Sequence, residues 1–182
     1  MKILSLFLLL LLVASIIRVQ FFSFGAQTPE DYASQPASFS LQEQLSGTLV
    51  SEGLIFGPDG RVTNSFVAEM TGEWQGNTGT LREEFTYSNG KQQSREWQLT
   101  MGEGNTFTAT ADDIVGEGKG VVSGSTAMLT YTIVLPEESG GHKLNVTDWM
   151  YLAENGTILN RSEMRKFGIK AVELIATMRP LN

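Results

Sequence analysis

The sequence predicts an all-β fold: one antiparallel meander β-barrel of about nine to ten strands, preceded by an apolar N-terminal segment. Three observations carry this. Glycine-bearing turn signals recur at intervals of roughly ten residues after position 40. The runs between them are short and rich in Thr, Val, Phe, Trp and Tyr. No helical periodicity of useful length interrupts them, which disfavours an α/β fold. Even spacing of this kind belongs to sandwiches and barrels, and a closed or nearly closed sheet hides its edges.

The elements follow in chain order. Lys2 precedes Ile3–Ile17, fifteen residues without a charge, and Arg18 and the aromatics Phe21, Phe22 and Phe24 come next. A short positive start and an apolar core of this length read as a secretory signal. Residues 1–25 are therefore expected to be a signal peptide or an uncleaved signal anchor. Ser23-Phe24-Gly25 offers small residues for cleavage before Ala26, whereas residues 3–24 are the alternative anchor, whose uncharged run Ile3–Ile17 is short for a bilayer span. The expected address is export, in a bacterium the periplasm, with inner-membrane anchoring as the variant. Residues 26–39 are polar with two prolines and read as a linker, and 40–182 as the barrel domain.

Composition excludes several function classes. The whole chain has 13 Lys+Arg, 20 Asp+Glu and one His, and past the N-terminal segment 11 bases face 20 acids. That acidic balance excludes a phosphate-tracking nucleic-acid binder. The absence of cysteine excludes disulfides, thiolate nucleophiles and iron–sulfur clusters, and one His excludes a multi-histidine metal site. No cofactor and no metal are expected.

One hairpin can be placed in register. Leu81, Glu83, Phe85 and Tyr87 share a face, as do Arg95, Trp97, Leu99 and Met101. A two-residue turn at Asn89-Gly90 would put those faces on opposite sides of the sheet. A three-residue loop, Ser88-Asn89-Gly90 with Gly90 left-handed, pairs Tyr87 with Lys91 and aligns the faces. Leu81 then meets Trp97, and Glu83 lies directly across from Arg95. A charge pair in an apolar face is either a structural ion pair that fixes register or the polar anchor of a cavity.

Other polar residues extend this constellation. Asp113 ends the inward row Phe107, Ala109, Ala111; Asp148 precedes Trp149-Met150-Tyr151; Asn160-Arg161 follows the next turn. The ligand-binding candidates are Glu83, Arg95, Trp97 and Asp113, with Tyr131, Asp148, Trp149 and Arg161 beside them. Turn capping is the preferred reading of Asp113 and Asp148, since Asp stabilises turns beside glycine. His142 follows Gly140-Gly141 with no Gly-x-Ser-x-Gly elbow, so a serine-hydrolase triad is not indicated.

Leu81-x-Glu83-x-Phe85-x-Tyr87-x-x-Gly90, Arg95-x-Trp97, Ala111-x-Asp113-x-x-Gly116, Asp148-Trp149-Met150-Tyr151, Asn160-Arg161 and Lys166-Phe167-Gly168 together resemble the bacterial domain of unknown function 3833 family. The resemblance covers roughly Phe39 to Arg179. It implies a periplasmic, membrane-tethered domain with no established activity, because many members look like lipoproteins. Here the lipobox cysteine is missing, so the N-terminal segment must do any tethering. Members are often encoded near fatty-acid cyclopropanation enzymes, which associates the family with lipids.

Three functions remain open at this level. The first is a lipocalin-like barrel that binds an acyl lipid, a fatty acid or another apolar ligand near Arg95. The second is a non-enzymatic envelope interaction or maintenance protein with a filled barrel. The third is a lipid-modifying enzyme using Glu83 or Asp113 as base and Arg95 as electrostatic stabiliser.

Overall fold

The computed structural model describes residues 2–181. Ten strands close into a barrel: β1 (Gly47–Phe56), β2 (Val62–Gln75), β3 (Thr78–Tyr87), β4 (Gln92–Met101), β5 (Thr106–Thr110), β6 (Gly118–Ser123), β7 (Thr126–Val134), β8 (Lys143–Leu152), β9 (Ile158–Lys166) and β10 (Ile169–Pro180). Every strand pairs antiparallel with its sequence neighbours, and β10 returns to β1 to complete the ring. The meander expectation holds, with ten strands.

Alternation sends one face of each strand inward. Leu49, Met70, Leu81, Leu99, Phe107, Leu129, Met150, Ile158 and Met178 make one continuous core. The β3–β4 register is the one set by the apolar faces: Leu81 faces Trp97, Glu83 faces Arg95 and Phe85 faces Gln93. The Tyr87 N–H donates to the Lys91 carbonyl at 2.9 Å, and Gly90 has φ +83°, the left-handed geometry that the three-residue loop requires.

One end of the barrel is closed by a helical turn that the strand pattern hid. Helix α2 (Leu41–Gln44) begins at Ser40, whose hydroxyl accepts from the Glu43 N–H at 3.3 Å. Phe39, Leu41 and Leu45 are buried as the floor of the interior. The Leu45 carbonyl accepts from the Trp74 indole N–H at 3.0 Å, and a side chain at Gly72 would run into that carbonyl. Ser40-x-x-Glu43 is the capping signature that marks this turn in the sequence.

Helix α1 (Lys2–Phe21) precedes the barrel, with Leu4, Leu8, Leu10 and Leu12 exposed. The segment after it lies along the outer wall. Phe24 is buried beneath the Arg161 guanidinium, 4.6 Å from its ring, and Tyr32 packs on Trp149 with centroids 5.2 Å apart. The Ser123 hydroxyl donates to the Pro29 carbonyl at 2.5 Å, and the Phe39 N–H to the Gly124 carbonyl at 2.8 Å. The stretch read as a linker is thus held to the wall by apolar, aromatic and hydrogen-bonded contacts.

Candidate functional site

The barrel encloses a cavity of about 140 Å³. Leu41 and Leu45 form its floor, with Met70, Leu81, Leu99, Phe107 and Met150 around the lower wall. Above them runs a polar girdle of Ser51, Glu83, Arg95, Asp148, Asn160 and Ser162, and beyond it Phe85, Met164 and Leu174. Phe66, Phe85 and Tyr87 pack ring against ring on this side, with centroids 5.2 to 6.2 Å apart.

Arg95 is the centre of the girdle. Its guanidinium stacks on Trp97, 4.0 Å from the ring, with the Tyr131 ring at 5.8 Å. Trp97 and Tyr131 meet edge to face at 5.3 Å. The cross-strand position opposite Arg95 belongs to Glu83, yet among the described residues the ion pair of Arg95 is with Asp113, at 2.9 Å. That corrects the expected Glu83–Arg95 pair. The reason is local chain geometry. The β4–β5 ladder covers only Gln98 to Met101, after which residues 111–115 swing toward β7. There the Val134 N–H donates to the Asp113 carbonyl at 2.7 Å, and Ile114 bridges Ile133. The swing brings Asp113 alongside Arg95 and opens a cleft of about 310 Å³ in the side wall. Arg82, Glu84, Glu96 and Asp112 edge this cleft, and Arg95 borders both cleft and cavity.

Turn capping fails for Asp148. It lies on β8 facing inward, where its Oδ1 accepts from the Ser162 hydroxyl at 2.7 Å and from the Asn160 amide. Asp113 does sit in a turn segment, but its carboxylate serves Arg95.

These carboxyls share a low-dielectric space with one cation. Burial pushes the Glu83 acid up to about 7; the Arg95 charge opposes this and the Asp148 charge adds to it. Burial also raises Asp148, while the Ser162 and Asn160 hydrogen bonds pull it back. Tyr131 is raised chiefly by burial and stays a neutral phenol. Near neutrality the girdle thus holds an Arg95–Asp113 pair and a Glu83 carboxyl poised between its two forms. The Arg95 Nε and Nη2 atoms are buried without a hydrogen-bond acceptor among the described residues; the Asp113 contact is close but poorly aligned.

Two candidates belong elsewhere. Trp149 and Arg161 point out of the barrel, because Asp148, Met150, Asn160 and Ser162 take the inward positions. Trp149 is 1% exposed because Tyr32 covers it, and Arg161 bonds Glu173 at 2.8 Å. Asn160, named with the constellation from sequence, does line the cavity, and Ser51 and Ser162, not named there, join it. The row Ile158, Asn160, Ser162, Met164 alternates with charged neighbours and carries that signal. His142 lies outside the cavity, with its Nδ1 2.9 Å from the Lys166 amine.

A closed ten-stranded antiparallel meander, floored by a helical turn, is an up-and-down β-barrel of lipocalin-like fold. Within that class the chain belongs to the family described as protein of unknown function (DUF3833), whose model matches residues 18–180. Among solved structures it is similar to Rv2717c from M. tuberculosis, with 16% identity over 78% of this chain and 97% of that one, TM-score 0.58. It is also similar to the S-type phycobiliprotein lyase CPES from Guillardia theta, with 9% identity over 86% and 99%, TM-score 0.58. At these identities the likeness is one of fold. No curated protein matches the chain.

Proposed function

We propose that this barrel is an exported binding module for an acyl lipid, with the end of the chain in the apolar lower cavity and the oxygen-bearing group at Arg95. Export rests on the charge-flanked apolar N-terminal segment. The observation that carries the ligand reading is the girdle itself: a buried guanidinium whose Nε has no acceptor among the described residues, and whose Nη2 meets Asp113 without hydrogen-bond alignment, above a pocket walled by Leu, Phe and Met. An ester, amide or carboxyl oxygen supplies the acceptor that Arg95 lacks. The barrel shares its fold with a phycobiliprotein lyase, and that likeness supports the reading to that extent.

Size bounds the ligand. A cavity of about 140 Å³ matches the ~150 Å³ that holds a benzene ring, below the roughly 300–1,000 Å³ of ordinary ligand sites. Met70, Met150, Met164 and Met178 line it, and flexible thioethers adjust most readily. A longer chain enters by turning these side chains.

The test is native mass spectrometry of the protein from its own envelope, with lipid extraction of what travels with it. A stoichiometric acyl lipid, reduced at least tenfold in Arg95→Met, is the expected result. An empty protein whose fluorescence ignores added fatty acids and phospholipids would leave a filled barrel that works by protein contacts. Acid–base catalysis by Glu83 is a second reading, favoured by its pKa of about 7 beside the cavity. It requires a lipid product that forms with the native chain and is lost in Glu83→Gln.

A further inference from the structure

The β9–β10 hairpin lies at the end of the barrel opposite α2, and its tip breaks two rules at once. Lys166 pairs with Ile169, leaving Phe167-Gly168 as a two-residue turn with φ +51° and +80°. Both values are left-handed, the turn type that favours Asn-Gly. Phe167 is the one non-glycine residue with positive φ among those described. It is also 91% exposed, and Ile169 beside it 73%. Backbone strain and an aromatic ring in water are both unfavourable, and among the described residues the ring's one recorded contact is the Lys166 amine, 5.8 Å from its centroid, with no apolar packing. A residue kept on those terms meets something outside the chain.

The surrounding charge says what. The protein is acidic overall, yet between Glu163 and Glu173 the chain carries Arg165, Lys166 and Lys170 and no acid. Asn145 faces Arg165, so Lys143 stands next to the tip from β8, and His142 contacts Lys166. Arg165 is bound to Glu163, and Lys170 to Glu173. Lys143 and Lys166 have no ion pair among the described residues and ring the exposed Phe. On the neighbouring loop Glu138 is taken by Lys91 at 2.6 Å, and the Glu137 carboxylate turns back over Gly141 as the one acid left beside the collar among the described residues. An apolar, aromatic tip inside a basic collar matches the interface of a membrane whose surface is anionic.

We infer that the Phe167–Ile169 hairpin is a bilayer-contact tip that inserts Phe167 and Ile169 among anionic headgroups, with Lys143 and Lys166 on the phosphates. The tip projects from the barrel end away from the α2 floor. The inference stands on the tip alone and is independent of whether the cavity holds a ligand.

Helix α1 would itself bring the full chain to vesicles, so binding as such does not report on the tip. The readout must be local, and the cysteine-free chain permits it. Full-length Phe167→Cys, labelled with an environment-sensitive dye, is mixed with vesicles containing about one-third anionic phospholipid. Asn77→Cys, exposed in the turn at the α2 end, is the matched control. The expected result is at least a twofold rise and a blue shift at 167, quenched by lipid-borne quenchers, with neither at 77. Lys143→Glu/Lys166→Glu in the Phe167→Cys background should lose most of the rise, as should high salt. Equal signals at 167 and 77, or the same response to neutral and anionic vesicles, would overturn the proposal. A rise with protein concentration in the absence of vesicles would instead identify the tip as a self-association contact and overturn it too.

Discussion

The barrel carries one group of charges inside and another outside, and the two are built differently. On the outer wall of β9–β10, Glu163 meets Arg165 at 2.5 Å and Arg161 at 3.9 Å, and Glu173 meets Arg161 at 2.8 Å and Lys170 at 2.6 Å. Each carboxylate there has two cations. Inside, among the described residues, Arg95 alone faces Asp113, Glu83 and Asp148, and its Nε and Nη2 make no aligned hydrogen bond. The outer group is electrostatically complete and needs only the fold to explain it. The inner group has more carboxyls than cations in the place where that imbalance is most expensive, and the fold alone does not require it.

The largest test of this contrast is Arg95→Met. Removing the only cation of a buried cluster should cost about 3–5 kcal/mol in urea unfolding at pH 8. Adding Glu83→Leu should recover much of that loss. A strictly additive double variant would mean that the two residues do not interact.

Next in size is the pH dependence set by Glu83. Its folded pKa of about 7 lies above the unfolded value near 4.5, so the folded state binds the proton more tightly. Its contribution is fully present below about 4.5 and lost as pH rises through 7, a change of up to about 3 kcal/mol. Glu83→Gln should therefore be the more stable protein at pH 8 and match the native chain near pH 4.5. A parallel pair of stability curves would place Glu83 in contact with water.

A smaller effect is expected where the N-terminal segment meets the wall. Tyr32→Ala uncovers Trp149 and should cost about 1–2 kcal/mol, with a red shift in tryptophan emission. Smallest of all, Lys170→Met removes a part-exposed partner of Glu173, and its cost should stay within about 1 kcal/mol and shrink in salt. A Lys170 effect as large as that of Arg95 would erase the contrast.

Much of the fold was legible because two simple periods govern it. Turn spacing yields the meander, and the parity of apolar residues around Ser88-Asn89-Gly90 leaves one hairpin register, so Glu83 had to face Arg95. Which carboxylate the guanidinium chooses was not legible. That choice depends on the chain leaving β4 after Thr110, a tertiary event with no local signature. Trp149 and Arg161 misled for a related reason. A strand covered on both faces loses its alternation, and Asp148-Trp149-Met150-Tyr151 reads as one run because the N-terminal segment lies over its outer side. Asp148 as a buried acceptor could be found only through Asn160 and Ser162 on the facing strand.

The seam between β1 and β10 governs how the molecule comes into being. Nine of the ten strand pairings join sequence neighbours and can form as hairpins from local chain. The tenth runs from Leu49↔Pro180 to Phe56↔Glu173 and ties the two ends of the sheet together. Until the last strand arrives, β1 and β9 stand as open edges, and the interior cannot exclude water. Assembly is therefore a single late event, governed by loop closure across nearly the whole domain. A chain that has not yet delivered β10 would be a twisted, sticky sheet in need of a chaperone, and the barrel acquires its inside only when that strand docks.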